Sequence, residues 1–245
     1  MRYAIISDVH ANLPALQAVL RDAEGHGCES IVCLGDLVGY GKDHAECLRV
    51  VRERAASCVR GNFDDYVSTD VDLSAFNPTA AEAVRQMRGA LTSDDVKWLG
   101  ELPYVMELDD FTIVHATLDG PRRWGYVFDK FAAAASFTYQ RTPLCFFGHT
   151  HVPMVFIQDS TVTGGTYNHL SIQRGKKYFI NPGSVGQPRD NNPKASYATY
   201  DSGNGNIELR RLDSNGSGPR GGGNFPGVPV PRTSPPLFGK GAAEP

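Results

Sequence analysis

A series of short apolar runs, each stopping at a side chain of metal-ligand type, most limits what this chain can fold into. Arg2–Ser7 stops at Asp8-Val9-His10, Ser30–Leu34 at Gly35-Asp36, and Ser57–Arg60 at Gly61-Asn62. Phe111–His115 ends on its own imidazole, and Leu144–Phe147 stops at Gly148-His149-Thr150-His151. Runs this short, bounded in this way, read as strands. A suitable fold must therefore bring several strand ends to one place. Carboxylate, imidazole and amide groups converging there are what a two-metal hydrolytic site needs.

The segments between the runs set the architecture. Asn12 suits a helix cap, Pro14 suits a first turn, and Leu13, Leu16, Val19 and Leu20 recur at helical spacing. Asp43–Ala55 reads as a second helix, so the chain opens as βαβαβ, with parallel strands and helical crossovers. Thr79–Leu91 is a further helix, and Ser93 caps a short one running through Leu99. Beyond Pro103 the character changes. Tyr104–Leu108 and Phe111–His115 form a hairpin around Asp109-Asp110, and Asp129–Tyr139 is an alanine-rich helix. Val155–Ile157, Tyr178–Ile180, Ser196–Tyr200 and Ile207–Leu212 add strands. The expected fold is α/β, a four-layer αββα sandwich of two mixed sheets flanked by helices.

With 245 residues the chain can bury one sizeable core. That core is expected in a single domain over residues 1–213. Residues 214–245 are dominated by Gly, Pro and Ser and read as a flexible tail, or as a partner-docking segment around Pro226–Pro236. A formal net charge of -3 argues against general nucleic-acid binding but not against a nucleotide substrate, because bound cations would supply local positive charge. The five cysteines form no C-x-x-C pair, and Cys33, Cys58 and Cys145 lie in apolar runs, which points to free thiols and a cytoplasmic location. The start is too short for a signal peptide, and no stretch approaches the roughly 20 apolar residues of a membrane span.

Asp8 and His10 are two apart, as are His149 and His151. In an extended segment both members of such a pair point to one side. Asp36, with two oxygens and a strand end beside that of Asp8, is the natural bridge between two cations. Asn62 and His115 complete the set of ligands. His26 and His44 lack this context and read as surface-helix residues. The ligands suit Mn²⁺, Fe or Zn²⁺ without deciding among them.

The ordered set resembles the calcineurin-like metallophosphoesterase superfamily. The matching motifs are Asp8-Val9-His10, Gly35-Asp36-Leu37-Val38-Gly39-Tyr40-Gly41, Gly61-Asn62-Phe63-Asp64, His115 and Gly148-His149-Thr150-His151. Asn181-Pro182-Gly183-Ser184-Val185-Gly186-Gln187-Pro188-Arg189 resembles the small bacterial and archaeal phosphodiesterase branch. The resemblance implies one metal on Asp8, His10, Asp36 and His151 and a second on Asp36, Asn62, His115 and His149. It implies in-line attack on phosphorus by a metal-bridging hydroxide, with a phosphorylated small molecule or nucleotide, including dinucleoside polyphosphates, as substrate.

One departure shapes the expected chemistry. The third motif usually carries a catalytic His where this chain has Phe63. Loss of general acid help, typically worth about 10²–10⁴-fold, penalises poor leaving groups most. Phosphodiester or nucleotide pyrophosphate-type bonds are therefore favoured over alkyl monoesters. The alternatives are a phosphomonoesterase, including a serine/threonine protein phosphatase, and a non-catalytic scaffold on the same fold. Asp64 is expected to support the site from behind, and Arg189 to grip a phosphate oxygen. His169 is a candidate replacement proton donor. Arg122, Arg123, Trp124 and Tyr126 form a basic-aromatic cluster that either seats a nucleotide or packs as a helix lead-in.

Overall fold

The computed structural model describes residues 1–76 and 78–213; the expected tail and its Pro-rich segment lie outside the described residues. The chain opens with β1 (Arg2–Ile6), α1 (Leu13–Gly25), β2 (Ser30–Cys33), α2 (His44–Arg54) and β3 (Ala55–Cys58). Three helices follow, α3 (Asn62–Ser68), α4 (Pro78–Gly89) and α5 (Ser93–Glu101). Then come β4 (Val105–Glu107), β5 (Phe111–Val114), α6 (Lys130–Phe137) and β6 (Leu144–Phe146). The remainder is all strand: β7 (Met154–Gln158), β8 (Val162–Gly165), β9 (His169–Ser171), β10 (Lys177–Asn181), β11 (Ala195–Asp201) and β12 (Asn206–Leu212).

Two six-stranded mixed sheets result, in the orders β3-β2-β1-β11-β12-β9 and β4-β5-β6-β10-β7-β8. In the first, β1, β2 and β3 are parallel, and β11 returns antiparallel to β1. In the second, β5, β6 and β10 are parallel, while β4 pairs with β5 as the expected hairpin.

Side-chain alternation along the strands builds the layers. In β1, Ala4 and Ile6 face Leu16, Val19 and Leu48 of the helices, whereas Ile5 faces the other sheet. In β6, Leu144 and Phe146 face the first sheet, whereas Cys145 packs with Ala133 and Phe137 of α6. The order is therefore helices, sheet, sheet, helix, as the sequence led us to expect. Among the described residues no helix is long and apolar enough to cross a membrane. All five thiols are unpaired, and only Cys28 is not fully buried.

Several boundaries differ from expectation. Thr92, not Ser93, caps α5, its hydroxyl accepting from the Asp95 N–H at 3.2 Å. The third strand begins at Ala55, directly out of α2, so Arg60 lies beyond it and donates to Asp65 at 3.0 Å. The short helix α3 and the strands β8 and β9 were not anticipated. A seven-residue helix behind Gly61 offers too little periodicity to detect, and β8 and β9 are short and largely exposed.

Candidate metal centre

The loops after β1 and β2 are zipped together. The Asp8 N–H donates to the Gly35 carbonyl at 3.0 Å, that of His10 to Asp36 at 2.9 Å, and that of Ala11 to Leu37 at 2.9 Å. The segment after β10 braces them from the other side. Val185 and Gly186 donate to the Ser7 and Asp8 carbonyls, each at 2.9 Å, and the Ser184 hydroxyl donates to the Asp8 carbonyl at 2.8 Å.

These loops are not extended, which corrects the strand geometry expected for the paired ligands. Asp8 and His10 lie at φ 54° and 47°, and His149 and His151 at 67° and 59°. Left-handed backbone at a non-glycine residue costs about 1–3 kcal/mol and persists only where its surroundings enforce it. The zipper enforces it at Asp8 and His10, whereas the His149 N–H donates to the Asp8 carboxylate at 3.2 Å and the His151 carbonyl accepts from the Arg189 N–H at 3.2 Å; all four side chains are buried.

Asp64 explains how Asp36 is aimed. Its carboxylate accepts from the backbone N–H groups of Asp36 (2.8 Å), Leu37 (2.9 Å) and Gly61 (2.9 Å). With both oxygens so engaged, it positions Asp36 rather than facing a substrate. Gly61 must be glycine, because a β-carbon there would strike the backbone N and carboxylate Oδ1 of Asp36. The Asp36 Oδ1 atom accepts from the Phe63 N–H at 2.9 Å. That leaves Oδ2 free, 3.6 Å from His10 Nε2 and 3.5 Å from His115 Nε2.

Each imidazole is locked by a backbone carbonyl. His10 Nδ1 donates to Val38 (3.0 Å), His115 Nδ1 to Leu34 (2.7 Å), His151 Nδ1 to Gln187 (2.6 Å) and His149 Nε2 to Trp124 (2.9 Å). A carbonyl can only accept, so in a neutral ring the other nitrogen is a bare acceptor. Burial, reinforced by the Arg189 charge, holds His10 and His151 well below the usual histidine range. Burial, then the nearby His115, does the same to His149. Burial also pushes the Asp8 carboxyl up to about 7, and burial followed by repulsion from Asp64 lifts Asp36 well above the carboxylate range.

Bare acceptors therefore face one another. His10 Nε2 lies 3.1 Å from His151 Nε2, and His115 Nε2 lies 3.2 Å from Asn62 Oδ1. Neither pair has a proton to share. The ligand atoms of Asp8, His10, Asp36 and His151 all lie within 4.8 Å of one another, as do those of Asp36, His115 and His149. Buried carboxylates deprived of water and facing acceptor pairs fit divalent cations, which would relieve both the repulsion and the desolvation. Oxygen and imidazole donors without thiolate suit Mn²⁺, Fe or Zn²⁺ alike.

The remaining candidates divide. Arg189 is exposed over the cluster, its guanidinium donating to the Tyr40 hydroxyl at 3.2 Å and to Gln187 Oε1 at 2.7 Å. The Arg122–Tyr126 cluster walls the centre. Tyr126 stacks on His149 with centroids 4.1 Å apart, Trp124 lies 5.9 Å from His115, and Arg122 covers the Tyr104 ring. His169 does not reach the centre. It shares a depression with Arg2 and Asp201, beside the start of β1, whereas Asp8 follows the end of that strand. It cannot replace the missing proton donor. His44 is half-buried, its Nδ1 enclosed without a partner among the described residues, so the surface reading is corrected. Tyr40, the bracing Ser184 and Asn181, whose side-chain amide donates to the Gly148 carbonyl at 2.6 Å, were missed as site residues.

Comparison with known proteins places this geometry in context. The family model of the calcineurin-like phosphoesterase superfamily domain matches residues 1–205. An uncharacterized protein of Methanocaldococcus jannaschii is 37% identical over 217 residues, 86% of this chain and 86% of that protein. The phosphodiesterase YfcE of Escherichia coli is 27% identical over 212 residues, 82% of this chain and 88% of that protein. Among solved structures, a metallophosphoesterase from Sphaerobacter thermophilus superposes with a TM-score of 0.78 at 41% identity, covering 87% of this chain and 88% of its own.

Proposed function

Because the chain belongs to the calcineurin-like phosphoesterase superfamily, we propose that it is a dinuclear-metal hydrolase of phosphodiester or nucleotide pyrophosphate-type bonds. The observation that carries this reading is Asp36 Oδ2, set 3.6 Å and 3.5 Å from the Nε2 atoms of His10 and His115. One carboxylate oxygen thus touches both acceptor clusters. Asp8, His10, Asp36 and His151 would hold one cation; Asp36, Asn62, His115 and His149 would hold the other. Bound there, divalent cations would acidify a water and neutralise charge on the phosphate oxygens.

The protein's own groups do the rest. Backbone carbonyls hold the four imidazoles in one tautomer, so their bare nitrogens need no reorganisation on binding. Asp64 keeps Asp36 aimed. Arg189 offers a planar fork to a non-bridging phosphate oxygen. Phe63 lies with its ring 5.3 Å from that of His10, excludes water and can give no proton to the leaving oxygen. That supports substrates whose leaving group departs unaided, and the diesterase activity of the E. coli relative agrees. Phe63 is also the one feature favouring a scaffold, but a scaffold has no use for bare acceptors held at this cost.

The test is hydrolysis by metal-reconstituted protein of bis-p-nitrophenyl phosphate, p-nitrophenyl phosphate, a dinucleoside tetraphosphate and a phosphopeptide. We expect the diester or the dinucleotide to be preferred. Preference for the phosphopeptide would overturn the diesterase reading, and no turnover of any substrate would leave the scaffold.

A further inference from the structure

Resting on that reading, we propose that Tyr40 and Tyr126, together with Arg189, form a hydroxyl clamp. It grips the non-bridging oxygens of the substrate phosphate at the mouth of the centre. The clamp would supply the hydrogen bonds that Phe63 cannot.

Three observations converge on it. First, Arg189 holds the Tyr40 phenol at the mouth of the centre. Its Nη2 lies 3.2 Å from the Tyr40 hydroxyl, and its guanidinium sits 5.6 Å from that ring.

Second, both rings are anchored on ligand imidazoles. Tyr40 meets His10 edge-on at 4.7 Å, and Tyr126 stacks on His149 at 4.1 Å. One phenol therefore stands beside each half of the centre. Tyr40 also packs 4.9 Å from the Phe63 ring, so it borders the position where the usual donor is absent.

Third, Tyr40 is held at φ 44°, between Gly39 and Gly41. A bulky residue in the left-handed region is strained, and such strain persists where surrounding structure demands a particular side-chain direction.

Tyr40→Phe and Tyr126→Phe, singly and together, keep the rings and remove only the hydroxyls. Each variant is loaded with Mn²⁺. Bound metal, KM and kcat on bis-p-nitrophenyl phosphate, and the Kd of inorganic phosphate by calorimetry are then measured. A hydrogen bond to a charged oxygen is worth about tenfold or more in affinity. We expect KM and the phosphate Kd to rise about tenfold for each hydroxyl lost, kcat to fall less, and metal content to hold. If wild type turns over substrate and binds phosphate but the double variant binds phosphate equally well, the clamp is overturned. Loss of metal in parallel with loss of affinity would also overturn it, since that marks a structural role. Absence of both turnover and phosphate binding in wild type would overturn the phosphoesterase reading instead, and the clamp with it.

Discussion

Phe63 decides more of the expected chemistry than any other single residue. It is 6% exposed, and its ring faces those of His10 and Tyr40. Histidine is no larger, so Phe63→His would put a proton donor beside the centre without overpacking it. General acid catalysis is worth about 10²–10⁴-fold when the leaving group is poor. Phe63→His should therefore speed alkyl monoester hydrolysis far more than hydrolysis of bis-p-nitrophenyl phosphate. Parallel rates on the two substrates would show that leaving-group chemistry does not govern specificity here. The side chains that converge on the candidate centre were legible because their types and order are so restrictive. Their conformation was not. Left-handed backbone at Asp8, His10, His149 and His151 is imposed by hydrogen bonds from loops distant in sequence, which no local pattern records. Tyr40 was passed over for the same reason: its partner, Arg189, lies 149 positions away.

Among the elements, α3 matters most to the centre although it has only seven residues. Its first turn carries Asn62, Phe63 and Asp64, so one short helix supplies the amide that faces His115, the buried ring beside His10 and the staple on Asp36. Asp64→Asn tests that staple. The amide would turn an NH₂ group towards N–H donors that now meet carboxylate oxygens. Leaving buried donors unpaired costs about 1–3 kcal/mol, and loss of a partner behind a ligand typically costs about 10–100-fold in metal affinity. Chelator competition should reveal that weakening, with the substrate preference unchanged. Unaltered metal affinity would show that Asp36 is aimed by its own loop. The helical and strand periodicities that sequence reading detects belong to long or well-buried elements such as α1, β1 and β11. The exposed β8 and β9 lack an alternating apolar face. That is why β9, the edge strand that carries His169, escaped notice.

At the level of the whole molecule, the centre lies where the two sheets meet. Asp8, Asp36 and Asn62 follow strands of the first sheet, and His115 and His149 follow strands of the second. Ile5, Val32, Phe111 and Phe146 fill the space between the sheets and so fix the spacing of the ligands. The four layers were legible because a βαβ opening followed by hairpins leaves few other arrangements. The pairing of β1 with β11, which closes the first sheet across most of the chain, was not, since strand partners so far apart leave no local trace. Cations bound between the sheets would stabilise the folded state by mass action. The most direct measurement is a titration of chelator-stripped protein with Mn²⁺, following hydrolysis of bis-p-nitrophenyl phosphate against equivalents bound. We expect no turnover without metal and a rate that saturates as the second equivalent binds. Full activity in the stripped protein, or saturation at a single equivalent, would contradict the dinuclear reading.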